Sequence, residues 1–310
     1  PMVTRVSTTG NYASILSNLM AAQMRQFDAN ERVSSQKNGN DLKDYAKKAE
    51  TLAAMRVVDR RTKAYQDQNG LIADKLTNQD QALNQITDSA AQIRQTIADA
   101  LATDRADTLM TDLNGLFKNA VQGMNTSYDG KYLFAGGQIN TPPVTATSLA
   151  DLTAGPAIAT FFHNDDFKAQ AKVDDSTTVT TGFLADDLGT NMMNALKTIE
   201  TFHEGAGGPF SGQLTDAQRT FLQNQLAGWD TIRSDLTLTT AQNGLNQKRV
   251  DDVGESLVAR KDTLTMMMGD ITDADMAKAA GDLQAAGLAV QASAQVFLSL
   301  QNTSLLNVLK

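Results

Sequence analysis

The 310-residue chain contains no cysteine, two histidines and one tryptophan. Without cysteine, folding cannot depend on redox state, a property that suits an exported protein, and the length is enough for a core that needs no disulfides. The net charge of -8 and the absence of a dominant basic cluster argue against a nucleic-acid partner. No residues have the spacing of a catalytic pair or a metal site, so we expect no enzymatic activity, no cofactor and no metal.

Proline is also scarce, and after the first position it occurs only between residues 142 and 209. A proline inside a helix costs about 3 kcal/mol, so a long segment without one is free to be helical. This distribution predicts helices over residues 2–141 and 210–310, with a different structure between them.

Both helical parts carry an apolar period of seven residues. In the first part it starts near residue 41 and predicts one helix of roughly 55 residues, which needs partners because local propensity cannot stabilise it. A further helix over about 106–126 completes an antiparallel helical rod made from both chain ends. The rows are Met55, Thr62, Asn69, Leu76, Leu83, Ala90 and Ile97; Val58, Tyr65, Ile72, Gln79, Ile86 and Ile93; and Leu222, Trp229, Leu236, Asn243, Val250, Leu257, Leu264 and Ile271.

Asn69 and Asn243 interrupt these apolar rows. A buried asparagine can set the register of packed helices, but each residue can equally face solvent or the backbone of a neighbouring segment. The sequence leaves both interpretations open.

Residues 127–205 lose the helical period, and apolar and polar residues alternate instead. The segments 157–162, 167–173 and 177–183 read as strands separated by acidic turns, and Asp129-Gly130 reads as a hairpin turn. We therefore predict a small β-rich domain inserted at residues 141–205. His163 and His203 lie near several aspartates, but solvated turns explain those acids better than a metal site does.

The two ends are unusual because they are helical in pattern and almost uncharged. No charged residue occurs between Arg5 and Arg25 or between Asp282 and Lys310, yet polar residues interrupt both segments too often for a lipid environment. We expect no membrane span and no cleavable signal, and we expect the ends to be buried against each other or against further copies. The residues predicted to make these assembly contacts are Leu16, Leu19, Met20, Phe27, Leu283, Val290, Phe297, Leu300 and Leu305. The predicted domains are residues 2–40 with 276–310, residues 41–140 with 206–275, and the insert.

Several of these segments together resemble the bacterial flagellin superfamily. Residues 32–46 are similar to the segment after the first helix of that family, and residues 271–277 and 301–309 are similar to its C-terminal ending, here lengthened by Thr303-Ser304. Residues 130–136 and 141–144 resemble the branch of the superfamily that joins the flagellar hook to the filament.

The resemblance implies a structural subunit that assembles into a helical tubular polymer. It implies export through the flagellar type III apparatus with a chaperone, an extracellular location in the flagellum, and contacts with copies of itself and with adjacent axial proteins, including flagellin. In that family the ends are disordered in the monomer and fold on assembly. Three alternatives remain: a filament-forming flagellin, a signalling module built on a long helical hairpin, and a carbohydrate-binding adhesin that uses the insert. The predicted β insert argues against the signalling module, because in such a helical hairpin the heptad repeat continues without interruption to a short polar tip.

Overall fold

A computed structural model describes residues 3–155 and 157–308, with side chains described for 10–46, 48–155 and 157–301. Helices account for most of these residues, and the strands form two small antiparallel sheets. This confirms the predicted mainly helical fold with a small β region. The helices are α1 (Val3–Ser35), α2 (Ala49–Thr103), α3 (Leu109–Met124), α4 (Leu149–Ala154), α5 (Ala185–Glu204), α6 (Asp216–Thr272) and α7 (Met276–Val308), with 3₁₀ helices at Leu42–Lys48 and Ile158–Phe161. The strands are β1 (Ser127–Tyr128), β2 (Lys131–Tyr132), β3 (Gln170–Lys172) and β4 (Thr178–Thr180).

The chain divides into two units, which we describe separately. The first contains the residues up to Arg61 and from Ala259 onward, and the second is Thr62–Val258. The first unit holds α1 and α7 together with the beginning of α2 and the end of α6. The second unit holds the large hydrophobic core and both small sheets.

The predicted long helix is α2, which is 55 residues long, and α6 is 57 residues long. In the second unit the two helices run antiparallel, because Arg94 Nε lies 2.9 Å from Asp230 Oδ1 and the hydroxyls of Thr87 and Thr240 lie 3.2 Å apart. The predicted rows of both helices are buried there, and Trp229 is fully buried. Buried members of the rows are Leu76, Leu83, Ile86, Ala90, Ile93, Ile97, Leu222, Leu236 and Val250.

The helices α3 and α5 complete this core. α3 begins and ends within the predicted range 106–126 and buries Leu113 and Phe117. α5 lies within the segment that we assigned to the β-rich insert, and it buries Leu188, Met192 and Leu196. These three residues recur every four positions, which is a helical period that the strand assignment overlooked.

The β region is smaller than predicted. Of the predicted strands, residues 157–162 form a 3₁₀ helix, whereas the other two segments contain β3 and β4. The Asp129-Gly130 turn is confirmed: both residues have positive φ angles, 51° and 72°, as a two-residue hairpin loop requires. The Asp174 turn is also confirmed, since Oδ1 of Asp174 accepts bonds from the backbone N–H groups of Ser176 (2.7 Å) and Thr177 (2.6 Å).

The β3–β4 hairpin is attached to α2 and α6 by amide side chains of these helices. The amide nitrogens of these residues donate to backbone carbonyls of the hairpin, while Val173 and Val179 pack on Leu76 and Val250. The bonds run from Asn69 to Val173 (3.0 Å), from Gln79 to Thr181 (2.9 Å) and from Asn246 to Thr180 (2.9 Å). Asn243 donates to the carbonyl of Leu76 on α2 (3.0 Å). Both uncertain asparagines therefore face backbone carbonyls of neighbouring segments.

Candidate assembly interface

In the first unit, α1 and α7 pack against each other as an antiparallel pair. The rings of Tyr12 and Phe297 lie 5.1 Å apart, and at the other end Arg32 Nη1 lies 3.9 Å from Asp282 Oδ2. Absence of proline and a heptad period allow both segments to form 33-residue helices. The predicted burial of the two ends against each other is therefore present within a single chain.

Each helix turns one row toward its partner, recognisable by its reduced exposure. Several positions in these rows are alanine or serine, so the two backbones can approach closely. Among the described side chains of the pair only Ala22, Ala29 and Ala279 are fully buried. The row on α1 is Ile15, Leu19, Ala22, Gln26, Ala29 and Val33, and the row on α7 is Ala279, Leu283, Ala286, Val290, Ser293, Phe297 and Leu300.

A second apolar stripe on α1 faces away from α7. Its members are Leu16, Met20, Met24 and Phe27, which are 38%, 59%, 69% and 69% exposed. At 100° per residue they share one face, roughly 140° around the helix from the row that contacts α7. In this unit α1 therefore has two apolar faces, of which one is covered by α7 and the other is open to solvent.

The outer side of α7 is also apolar, since Leu288 is 60% exposed and Val296 is 50% exposed. By length and composition alone, Met276–Gln301 could cross a membrane. This is weak support for a membrane span, because Lys278, Asp282 and several glutamines occur within it. The same composition suits a helix that packs on other helices.

The predicted contact residues therefore fall into two groups. Leu16, Met20 and Phe27 form the open stripe, whereas Leu19 lies on the row that faces α7. The predicted α7 residues Leu283, Val290, Phe297 and Leu300 lie on the row that faces α1. Leu305 lies outside the described side chains. The prediction missed Met24, although its spacing of four from Met20 and three from Phe27 places it on the same stripe.

The segment that follows α1 is hydrogen-bonded to the segment that precedes α7. Asn38 N donates to Thr272 O (2.8 Å), Ala274 N donates to Gln36 O (3.0 Å), and Lys37 forms an ion pair with Asp273. The hydrogen bond from Lys37 lowers the pKa of the Asp273 carboxyl. Asp275 then caps α7, because its Oδ1 accepts the N–H of Lys278 (3.1 Å).

Elsewhere, Asp165 and His203 have structural partners. Asp165 Oδ1 accepts the N–H of Gly137 (2.7 Å), and His203 Nδ1 accepts the N–H of Phe210 (3.1 Å). Within the described residues no group of three or more histidine and acidic side chains is arranged to hold a metal ion.

The bacterial flagellin C-terminal helical region matches residues 226–309. Among solved structures, one similar protein is from Vibrio parahaemolyticus and is assigned as a flagellar hook-associated protein. The identity is 14%, the TM-score is 0.61, and the match covers 74% of this chain and 100% of that one. Bacillus cereus FlgL is similar at 14% identity and a TM-score of 0.54, covering 71% of this chain and 99% of that one. No curated protein is significantly similar in sequence.

These matches confirm the resemblance that the sequence motifs indicated. Residues 226–309 match the C-terminal helical region of the flagellin family, and the fold of the chain is similar to the folds of these two flagellar proteins.

Proposed function

We propose that the protein is a structural subunit of the bacterial flagellum that joins the hook to the filament by helical assembly. The observation that carries the proposal is the open stripe of Leu16, Met20, Met24 and Phe27 on a helix whose other face is already covered. An open apolar stripe on a helix pair fits a further helix. The other helix of the pair, α7, lies within the residues that match the flagellin C-terminal helical region.

The assembly would use residues 2–40 and 276–310 as the polymer core, with contacts from the nine predicted residues and Met24. Such an interface joins one patch of a subunit to a different patch of the next subunit. If the rotation between successive subunits does not close a ring, the contact repeats into an open helical polymer. The partners are copies of this chain, the adjacent axial proteins, and the export apparatus with a chaperone. The location is extracellular, in the flagellum, and the role requires no catalysis, cofactor, membrane or nucleic acid.

The position of the protein along the flagellum tests the proposal. An epitope placed in the exposed Asp129-Gly130 turn can be labelled with antibody-bound gold and seen by electron microscopy. We expect a single band of label at the boundary between hook and filament. Absence of label from intact flagella would contradict a structural role in the organelle.

The second candidate is a filament-forming flagellin, which the match over residues 226–309 favours. The same labelling experiment separates the two candidates, because a flagellin would carry label along the whole filament. The hook-associated fold of the solved relatives favours the junction.

A further inference from the structure

The second unit contains a cavity of about 520 Å³ on the side of α2. Its walls are α2, the β1–β2 hairpin with the loop that follows it, and the segments on either side of the β3–β4 hairpin. Apolar and aromatic side chains supply most of the lining, among them Ile72, Tyr132, Leu133, Ile139, Phe167 and Phe183. A volume of about 300 to 1,000 Å³ with such a lining is typical of sites for small organic molecules.

Two lysines, Lys75 and Lys131, line the same cavity. Lys75 is partly buried on α2, and within the described residues it makes no hydrogen bond or ion pair. Burial, together with the nearby charge of Lys131, lowers the pKa of the Lys75 ammonium. The only lining carboxylate among the described residues is Asp129, in the exposed turn. An anion inside the cavity would therefore meet two ammonium groups and relieve the unfavourable burial of one of them.

The mouth of the cavity is also apolar. Leu71 is 67% exposed and Phe167 is 60% exposed, although both are large hydrophobic side chains that folding normally covers. A ligand that lies between them would remove apolar area from water while its charged end reaches the lysines.

We propose that this cavity binds a small organic anion, namely a carboxylate carried on an aromatic or branched apolar body. The aromatic walls fit the apolar body and the lysines fit the carboxylate. A sugar acid is a poorer fit, because its hydroxyls need hydrogen-bonding partners all round the ring, whereas the polar side chains of the lining besides the lysines are Gln68, Asp129 and two tyrosines. The proposal does not depend on a role in the flagellum.

The test uses the full chain and three small probes. Phenylacetate has both proposed features, phenylacetamide lacks the charge, and glucuronate has the charge without the aromatic body. Titration is followed by NMR of the methyl groups of Ile72, Leu133 and Ile139, which report on the cavity. We expect phenylacetate to shift these signals saturably and to bind about tenfold more tightly than either other probe, as one charge-assisted contact implies.

The variants Lys75→Met and Lys131→Met test the charge. Each is expected to weaken phenylacetate binding about tenfold and to leave phenylacetamide unchanged. Lys118→Met is the matched control, because Lys118 is exposed on α3 and does not line the cavity. Methyl spectra of the free variants verify that the fold is retained. The proposal is overturned if phenylacetate causes no saturable shift, if phenylacetamide or glucuronate binds equally well, or if Lys118→Met weakens binding as much as the cavity variants do.

Discussion

Replacing both Met20 and Phe27 by aspartate tests whether the open stripe on α1 is the assembly surface. The two residues are seven positions apart on one face, and they are 59% and 69% exposed. Neither lies on the row that contacts α7. Aspartate has only a modestly lower helix propensity, about 0.7 kcal/mol at most, so the free chain should keep its helical content.

The expected loss follows from the area that the two side chains have left to bury. Complete burial of a methionine or phenylalanine side chain contributes about 1.5 to 3 kcal/mol. Because each of these residues still exposes about two thirds of its surface, the pair can contribute about 2 to 4 kcal/mol per copy. Its loss weakens assembly about 30-fold to 1,000-fold, and burial of the new carboxylates would weaken it further.

The assay combines sedimentation of the purified chain with electron microscopy of flagella from cells that carry only the variant. The matched control is Leu245→Asp, since Leu245 is 62% exposed on α6 in the second unit. We expect Met20→Asp/Phe27→Asp to abolish assembly without loss of helical circular dichroism, while Leu245→Asp assembles. Normal assembly of the double variant would refute the assignment of the stripe.

Replacing Val290 and Phe297 by aspartate is the complementary change, on the inner row of α7. These substitutions separate the two helices of the pair, so we expect loss of assembly together with loss of helical signal from α1 and α7. The second unit should remain folded, because its core contains neither residue. If this variant still assembled, the proposed polymer core would be wrong.

Three further predictions concern stability. Asn69→Ala leaves the Val173 carbonyl without its donor and should lower the free energy of unfolding by about 1 to 3 kcal/mol in urea titrations, with faster hydrogen exchange in the β3–β4 hairpin; unchanged exchange would contradict the attachment. Burial raises the pKa of Glu200, so ionisation of this carboxyl disfavours the fold at neutral pH. The Glu200→Gln variant should therefore be more stable than the unchanged chain at pH 7, and the gain should disappear below about pH 4.5. Equal stability of the two chains at pH 7 would contradict this effect of burial. The hydrogen bond from Lys37 lowers the pKa of Asp273, so the stability that this ion pair contributes is present above about pH 4 and is lost as the pH falls through the lowered pKa. The Asp273→Asn variant should lack the corresponding titration step in NMR spectra. If the step persists in the variant, it belongs to another group.

The sequence predicted the long helices because their apolar residues are strictly periodic. In the second unit, residues such as Leu83, Ile97 and Trp229 lie at their predicted positions in the core. The turns were also predictable, because aspartate and glycine favour turns. Asp129 and Gly130 adopt the positive φ angles of a hairpin loop, and the Asp174 side chain accepts a hydrogen bond from its own turn. Local chemistry determines both kinds of feature.

The β region was less predictable because its strands are very short and its segments pack on helices. Three residues of alternation do not distinguish a strand such as β3 from the 3₁₀ helix at Ile158–Phe161. The asparagines were ambiguous for a related reason. Their partners are backbone carbonyls from about 100 or more positions away, as with Asn69 and Val173, and no local pattern indicates such a bond.

The predicted assembly residues mixed two faces of α1. A charge-free segment indicates that a helix is buried, but it does not say how many neighbours bury it. The spacing does contain this information, because Leu19 and Ala22 continue one row while Leu16, Met20 and Phe27 continue another.

The covered face and the open face of α1 also explain why the stability of the α1–α7 pair should depend on further copies of the chain. Among the described side chains, the contact between α1 and α7 completely buries only three alanines, so the pair by itself gains little free energy against the entropy of ordering two 33-residue helices. A neighbouring copy that covers Met20, Met24 and Phe27 would add the missing burial. We therefore expect ordering of the ends and assembly of the proposed polymer to be one cooperative step, in which hydrogen exchange of α1 slows as the chains associate.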